Sequence, residues 1–274
     1  MKRLAQIAIV LVGLLASVTA QAQTVVLVQG YRSGPAVWHA SGVGPVMAQS
    51  GIAPGGHLSL TPDGVVVPLG PMAASEPKGP RFVTIDLPTE APVAMQAAGL
   101  SRYLAELRKR HPDEKIVLVG HSAGGVVARL VMVLNPELKV TRLVTIASPN
   151  LGTAVAELGR MIGQSPLGWF TPLMNLGTIN RSQALYHDLS REYPGNLLGW
   201  LNRQPHPAAD YVAIVRVRGT VTPSSGDGVT NGYAQDLNTV PALAGRARTL
   251  FSPGGHDLRP DDGLLIAALV RAPS

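Results

Sequence analysis

Residues 116–134 read IVLVGHSAGGVVARLVMVL, and this stretch decides the fold. Ile116 to Val119 is an unbroken apolar run, the pattern of a strand buried on both faces. Ala123 to Leu134 predicts a helix. Between them Gly120-His121-Ser122-Ala123-Gly124 fits the pattern G-x-S-x-G. In a chain with 30 glycines the pattern is weak by itself. It gains weight from the strand that ends at its first glycine and the helix that follows its serine. A turn that tight leaves no room for side chains beside Ser122, hence glycine at positions 120 and 124. The Ser122 hydroxyl is then exposed above the sheet edge, at a helix N-terminus whose dipole favours a developing anion. Ser122 is the candidate nucleophile.

Outward from this segment, strands alternate with helices. Val25–Val28 is a strand that ends at Gln29-Gly30, and a helical stretch follows through Trp38 to Ser50. Phe82–Ile85 is a strand that stops at Asp86. Ala91 to Arg110 has helical periodicity, with Leu100, Leu104 and Leu107 on one face. Leu143–Ile146, Val212–Val217 and Arg248–Phe251 are further strands, and Leu264–Val270 is a closing helix. The pattern predicts an α/β fold: a mostly parallel sheet of about six strands with helices on both faces. Two segments interrupt it. Residues about 53–80 read as an inserted hairpin around Thr61-Pro62-Asp63-Gly64. Residues about 150–207 are rich in Leu, Gly and Pro and read as a helical cap.

The start of the chain is a different kind of sequence. Lys2 and Arg3 precede a largely apolar run from Leu4 to Val18, and small residues follow around Ala20 and Ala22. Residues 1–22 have the form of a secretory signal peptide, which predicts export to the periplasm or beyond. The apolar run is shorter than a spanning helix needs, so no stable membrane span is expected after the leader is removed. The formal charge is +6. The leader carries two positive charges and no negative one, leaving +4 on residues 23–274. Basic residues cluster only at Arg102–Lys115 with helical spacing, a solvated helix face rather than a nucleic-acid surface. With no cysteine, disulfides and thiolate metal sites are excluded.

A serine hydroxyl needs a base near neutral pH. Of the seven histidines, His256 lies in Ser252-Pro253-Gly254-Gly255-His256, directly after the last strand, where loops collect at the carboxyl edge of a parallel sheet. His121 belongs to the turn, with its side chain expected to point away from Ser122. Asp227, in Ser225-Gly226-Asp227-Gly228, is the candidate acid. It falls between Ser122 and His256 in chain order and is flanked by glycines that let the loop bend toward the histidine. Asp236 is the reserve. Asp86 precedes the nucleophile, Asp210 lies at the wrong end of its strand, and Asp257 is too close to His256. A tetrahedral intermediate also needs two N–H donors. Ala123 supplies one, and the loop Gln29-Gly30-Tyr31 supplies the other through Tyr31.

Ile116 to Arg129, Val140 to Thr153, Asp227-Gly228-Val229 and Gly255-His256 together resemble the bacterial secreted lipases and esterases of the α/β-hydrolase superfamily. The resemblance covers residues 24–271 apart from the insertion and the cap. It implies hydrolysis of carboxylic esters with an apolar acyl chain, through an acyl-enzyme on Ser122, on a small-molecule or lipid ester and without a cofactor. An acyltransferase using the same intermediate, or a non-catalytic protein on the same fold, is the alternative. Two departures stand out. The family usually has His-Gly where this chain has Gln29-Gly30. Some members bind calcium near the catalytic histidine, and Asp257, Asp261 and Asp262 match no ligand set, so no metal is assigned. The first strand, Val25–Val28, corresponds to one that larger hydrolases reach only after two others. Oligomeric state is not readable from the sequence.

Overall fold

The computed structural model describes residues 22–69, 79–164, 181–219 and 225–272. Eight strands form one sheet: β1 (Gln23–Val28), β2 (Ala53–Leu60), β3 (Val66–Leu69), β4 (Arg81–Ile85), β5 (Lys115–His121), β6 (Val140–Ile146), β7 (Asp210–Val217) and β8 (Ala247–Pro253). Their order is β3-β2-β4-β1-β5-β6-β7-β8. Every neighbouring pair is parallel except β2 with β3.

The sequence pattern anticipates about six strands, and the described residues form eight. β2 and β3 pair antiparallel, and the turn between them at Thr61–Gly64 is closed by the Gly64 N–H on the Thr61 carbonyl. This hairpin does not stand apart from the sheet. β2 pairs in parallel with β4, with a bulge between Pro54 and His57, so β2 and β3 extend the sheet at one edge. The edge that β4 would otherwise expose is covered by the chain's own insertion. An isolated hairpin is marginal in water, whereas a hairpin added to an existing sheet satisfies one row of backbone groups on its partner.

The described helices are α1 (Val37–Ala40), α2 (Val43–Gln49), α3 (Val93–Arg110), α4 (Ala123–Leu134), α5 (Ala154–Gln164), α6 (Gln183–Leu189), α7 (Leu197–Leu201), α8 (Gly232–Gln235) and α9 (Pro260–Arg271). They cover both faces of the sheet. The period-two geometry of β5 shows why its sequence is apolar throughout. Ile116 and Leu118 point into the core shared with α3 and α4, among Leu100, Leu104 and Val127. Val117 and Val119 point into the opposite core with Trp38, Met47 and Ile266 of α1, α2 and α9. The described part of residues 150–207 is anchored on the α4 side. Leu185, Leu189, Leu198 and Leu201 are buried in the same cluster as α3 and α4. The apolar residues Leu167, Trp169, Phe170, Leu173, Met174 and Leu176, and residues 1–21 of the leader, lie outside the described residues.

Candidate active site

The turn from β5 to α4 places Ser122 with φ 51° and ψ −127°. This is a positive-φ conformation that a non-glycine residue adopts only when its surroundings impose it. Two restraints are visible. The Ser122 N–H donates to the Ile146 carbonyl at 2.8 Å, and the turn packs against β1 so closely that a Cβ on Gly124 would collide with the Val28 and Gln29 carbonyls. The glycine spacing is therefore a packing requirement. The strained turn presents the hydroxyl at the N-terminus of a twelve-residue helix.

His256, in the loop after β8, brings Nε2 to 2.8 Å from Ser122 Oγ. Its Nδ1 lies 2.7 Å from Asp227 Oδ2. A carboxylate accepts, so Nδ1 carries the proton, leaving Nε2 free to accept from the serine hydroxyl. The three residues thus form one hydrogen-bonded chain across 134 positions of sequence. Asp227 is fully buried. Its other oxygen accepts the N–H groups of Val229 at 2.8 Å and Thr230 at 2.7 Å. Burial pushes its pKa up, but the hydrogen bond and charge of His256, with the two N–H donors, outweigh burial and hold it below the usual carboxylate value. The Asp227 carboxylate is held as an anion facing the His256 imidazole.

The rival acids are engaged elsewhere. Asp236 accepts from Thr249 Oγ1 at 2.7 Å and caps a short turn through the Asn238 N–H. Asp86 pairs with His57 at 2.9 Å. Asp210, the first residue of β7, pairs with Arg142 and Arg248. Asp262, one of the carboxylates near His256 weighed as a metal ligand, is buried against Arg216 and accepts the Arg259 N–H at 2.8 Å. Asp262 thereby caps α9 and ties it to β7, so its carboxylate is committed to the protein. Among the described residues no group of three or more His, Asp or Glu is arranged to hold a metal ion.

On the other side of Ser122 lies the loop after β1. A Cβ on Gly30 would fall 2.9 Å from the Ser122 Cβ, so only glycine lets this backbone approach. Neither the Tyr31 nor the Ala123 N–H has an acceptor among the described residues. Gln29 is buried and donates through Nε2 to the Ile85 carbonyl at 3.0 Å, which anchors the loop to β4. The Tyr31 hydroxyl meets the Tyr186 hydroxyl of α6 at 2.7 Å, and the rings pack edge to face. Burial raises the Tyr186 pKa, and the Tyr31 bond raises it further.

Comparison with known proteins fits this geometry. A family model described as the alpha/beta hydrolase fold matches residues 68–245, more than half of the chain. The chain belongs to the α/β-hydrolase fold family. A hydrolase activity in general terms is what that membership supports. Among solved structures, the hydrolase is similar to the lin2722 gene product of Listeria innocua (TM-score 0.59, 14% identity, 92% of this chain and 90% of that one). It is likewise similar to the mature Bacillus licheniformis lipase BlEst2 (TM-score 0.59, 15% identity, 92% of each chain). A metagenomic carboxyl esterase, MGS0156, is a third (TM-score 0.51, 16% identity, 90% of this chain and 74% of that one). At these identities the likeness is one of fold. No curated protein matches the sequence significantly. Among its described residues the hydrolase has no helix long and apolar enough to cross a membrane.

Sequence reasoning gave no role to four residues that surround this site. Tyr186 supports Tyr31 from the cap. Thr153 donates to the Val229 carbonyl of the acid loop at 2.5 Å. Arg216 underlies the base loop through Ser252 and Asp262. His121 Nε2 contacts the His256 main chain at 2.8 Å. Each acts through a partner distant in sequence, and no local pattern marks it.

Proposed function

We propose that this protein is a serine hydrolase that cleaves carboxylic esters with an apolar acyl chain. The observation that carries the reading is the unbroken hydrogen-bonded chain from Ser122 Oγ through His256 to the buried Asp227 carboxylate. In this reading His256 Nε2 takes the hydroxyl proton as Ser122 Oγ attacks the ester carbonyl carbon. The carbonyl electron pair moves onto oxygen, and the N–H groups of Tyr31 and Ala123 receive that oxyanion. Collapse of the tetrahedral species expels the alcohol, which takes the proton from the imidazolium. Water then repeats the sequence on the acyl-enzyme and releases the acid. Asp227 stabilises the imidazolium in both halves. The strained turn and the fixed N–H groups are in place before substrate arrives, so little reorganisation is left for the transition state.

A fluorophosphonate probe tests the mechanism. It should label the wild-type protein once per chain and leave Ser122→Ala unlabelled at native fold. Equal labelling of the two proteins would refute the assignment.

We also propose export, on the leader-like residues 1–22. Mass spectrometry of protein recovered from the producing cell should place the mature N-terminus at Gln21 or Gln23. An intact Met1 in a membrane fraction would show an uncleaved anchor.

A further inference from the structure

His121 precedes the serine by one residue, yet its side chain serves the opposite end of the site. Its Nε2 lies 2.8 Å from the main-chain oxygen of His256. A carbonyl can only accept, so the proton of His121 sits on Nε2. The two imidazole rings are 5.2 Å apart. On its other side the ring borders the loop after β1, where a Cβ on Gly30 would come 3.3 Å from His121 Nδ1. One buried imidazole therefore lies between the loop that carries the base and the loop that carries Tyr31.

The base loop is also tied by the Arg259 side chain, which donates to the Pro253 carbonyl at 2.8 Å, and by Leu258, buried with Trp38 and Ile266, but neither contact reaches the His256 main chain. Gly254, with φ 143°, and Gly255 lead into it. The Gly254 N–H is anchored on Val217 O at 2.9 Å, and α9 begins at Pro260. Among the described residues, the bond from His121 is the one hydrogen bond made to the main chain between Gly255 and Leu258. The Asp227 contact orients the His256 ring but does not fix its backbone.

We infer that His121 is a positioning residue: its Nε2–H holds the His256 main chain so that the base ring meets Ser122 Oγ at bonding distance. The inference rests on the reading of Ser122, His256 and Asp227 as hydrolytic machinery. The titratable and charged groups facing His121 are His256, Arg216 and Asp257, and burial pushes its pKa down to about 4. The ring is neutral at neutral pH, and protonation would leave the Nε2–H donor in place.

The test compares His121→Phe, which keeps a ring but has no donor, with His121→Gln, whose amide nitrogen reaches to the position of Nε2. Wild type and Ser122→Ala are assayed beside them on a p-nitrophenyl ester, and folding is checked by circular dichroism. A displacement of the base by about 1 Å costs on the order of 100-fold in rate. His121→Phe should therefore lose roughly 10- to 100-fold in kcat with KM within about twofold of wild type, and His121→Gln should recover most of the loss. His121→Asn, whose amide stops short of the carbonyl, should behave like His121→Phe and replaces it if the phenylalanine does not fold. The inference is overturned if a folded His121→Phe or His121→Asn keeps wild-type kcat, or if His121→Gln is no better than either. Wild-type protein no more active than Ser122→Ala would instead remove the hydrolytic reading on which it stands.

Discussion

The Tyr31 and Tyr186 hydroxyls lie 2.7 Å apart, joining the loop after β1 to the cap helix α6. Tyr186 also lies beneath α5, where a Cβ on Gly159 would come 2.8 Å from its ring. Among the described residues, α6 thus reaches the proposed oxyanion side of the site through one phenol. Tyr186→Phe keeps the ring contact and deletes the bond, which has a net worth of about 1 kcal/mol. Turnover should fall roughly threefold to tenfold with KM nearly unchanged, and adding Tyr31→Phe should cost little more. Steady-state kinetics of the two single variants and the double variant measure this. Additive losses would show that the two phenols act independently.

Asp227 and Asp236 both follow β7, and the structure separates them. Asp227→Asn keeps the shape but removes the charge opposite the imidazolium, so kcat should fall about 10⁴-fold. Asp236→Asn disturbs only the Thr249 and Asn238 contacts and should leave kcat within about twofold while lowering stability by about 1 kcal/mol. Kinetics and urea denaturation of both variants decide it. A mild Asp227→Asn beside a crippled Asp236→Asn would reverse the assignment.

Two buried histidines give the fold a pH dependence of known sign. Burial lowers both His121 and His206 from the ordinary 6.5 to about 4. Between those values the unfolded chain binds protons that the folded chain does not. Stability is therefore complete above about 6.5, declines as pH falls and has lost this contribution below about 4. Each ring contributes a slope of about 1.4 kcal/mol per pH unit at most. Urea denaturation should show a loss on the order of 3 kcal/mol between pH 7 and pH 5, and His206→Gln should roughly halve that slope. A stability that stays level over this range would show that these rings titrate freely.

The acyl side is readable as chain-length dependence. Each buried methylene contributes about 0.8 kcal/mol, or about fourfold in kcat/KM. A series of p-nitrophenyl esters should rise from acetyl toward about octanoyl and then level off. Best activity on acetyl, with a steep fall beyond butanoyl, would mean a small closed pocket and a short-chain esterase.

Residues whose roles depend on chain direction and spacing are legible in the sequence. Ser122 is marked by a strand, a glycine-bounded turn and a helix that follow one another along the chain. His256 is marked by its place after the last strand, and Asp227 by its place between the other two. All three sit at strand ends, and a parallel sheet brings every such end to one edge. The strand count is less legible. β2 holds Pro54, Gly55 and Gly56, and such a stretch has no strand periodicity, so only its pairing with β4 makes it part of the sheet.

By itself, then, the sequence determined the fold class, because it follows from local periodicity and from the directionality of parallel strands. Only the tertiary structure decided which carboxylate faces His256. Asp227, favoured by its flanking glycines, and Asp236, the reserve, both lie between Ser122 and His256 in chain order, and they differ in whether a distant imidazole or a neighbouring threonine hydroxyl completes their hydrogen bonding. It also decided what His121, Thr153, Tyr186 and Arg216 do. Each of these acts through a hydrogen bond or ion pair to a residue far along the chain, and such contacts exist only once packing has brought the partners within about 3 Å of one another.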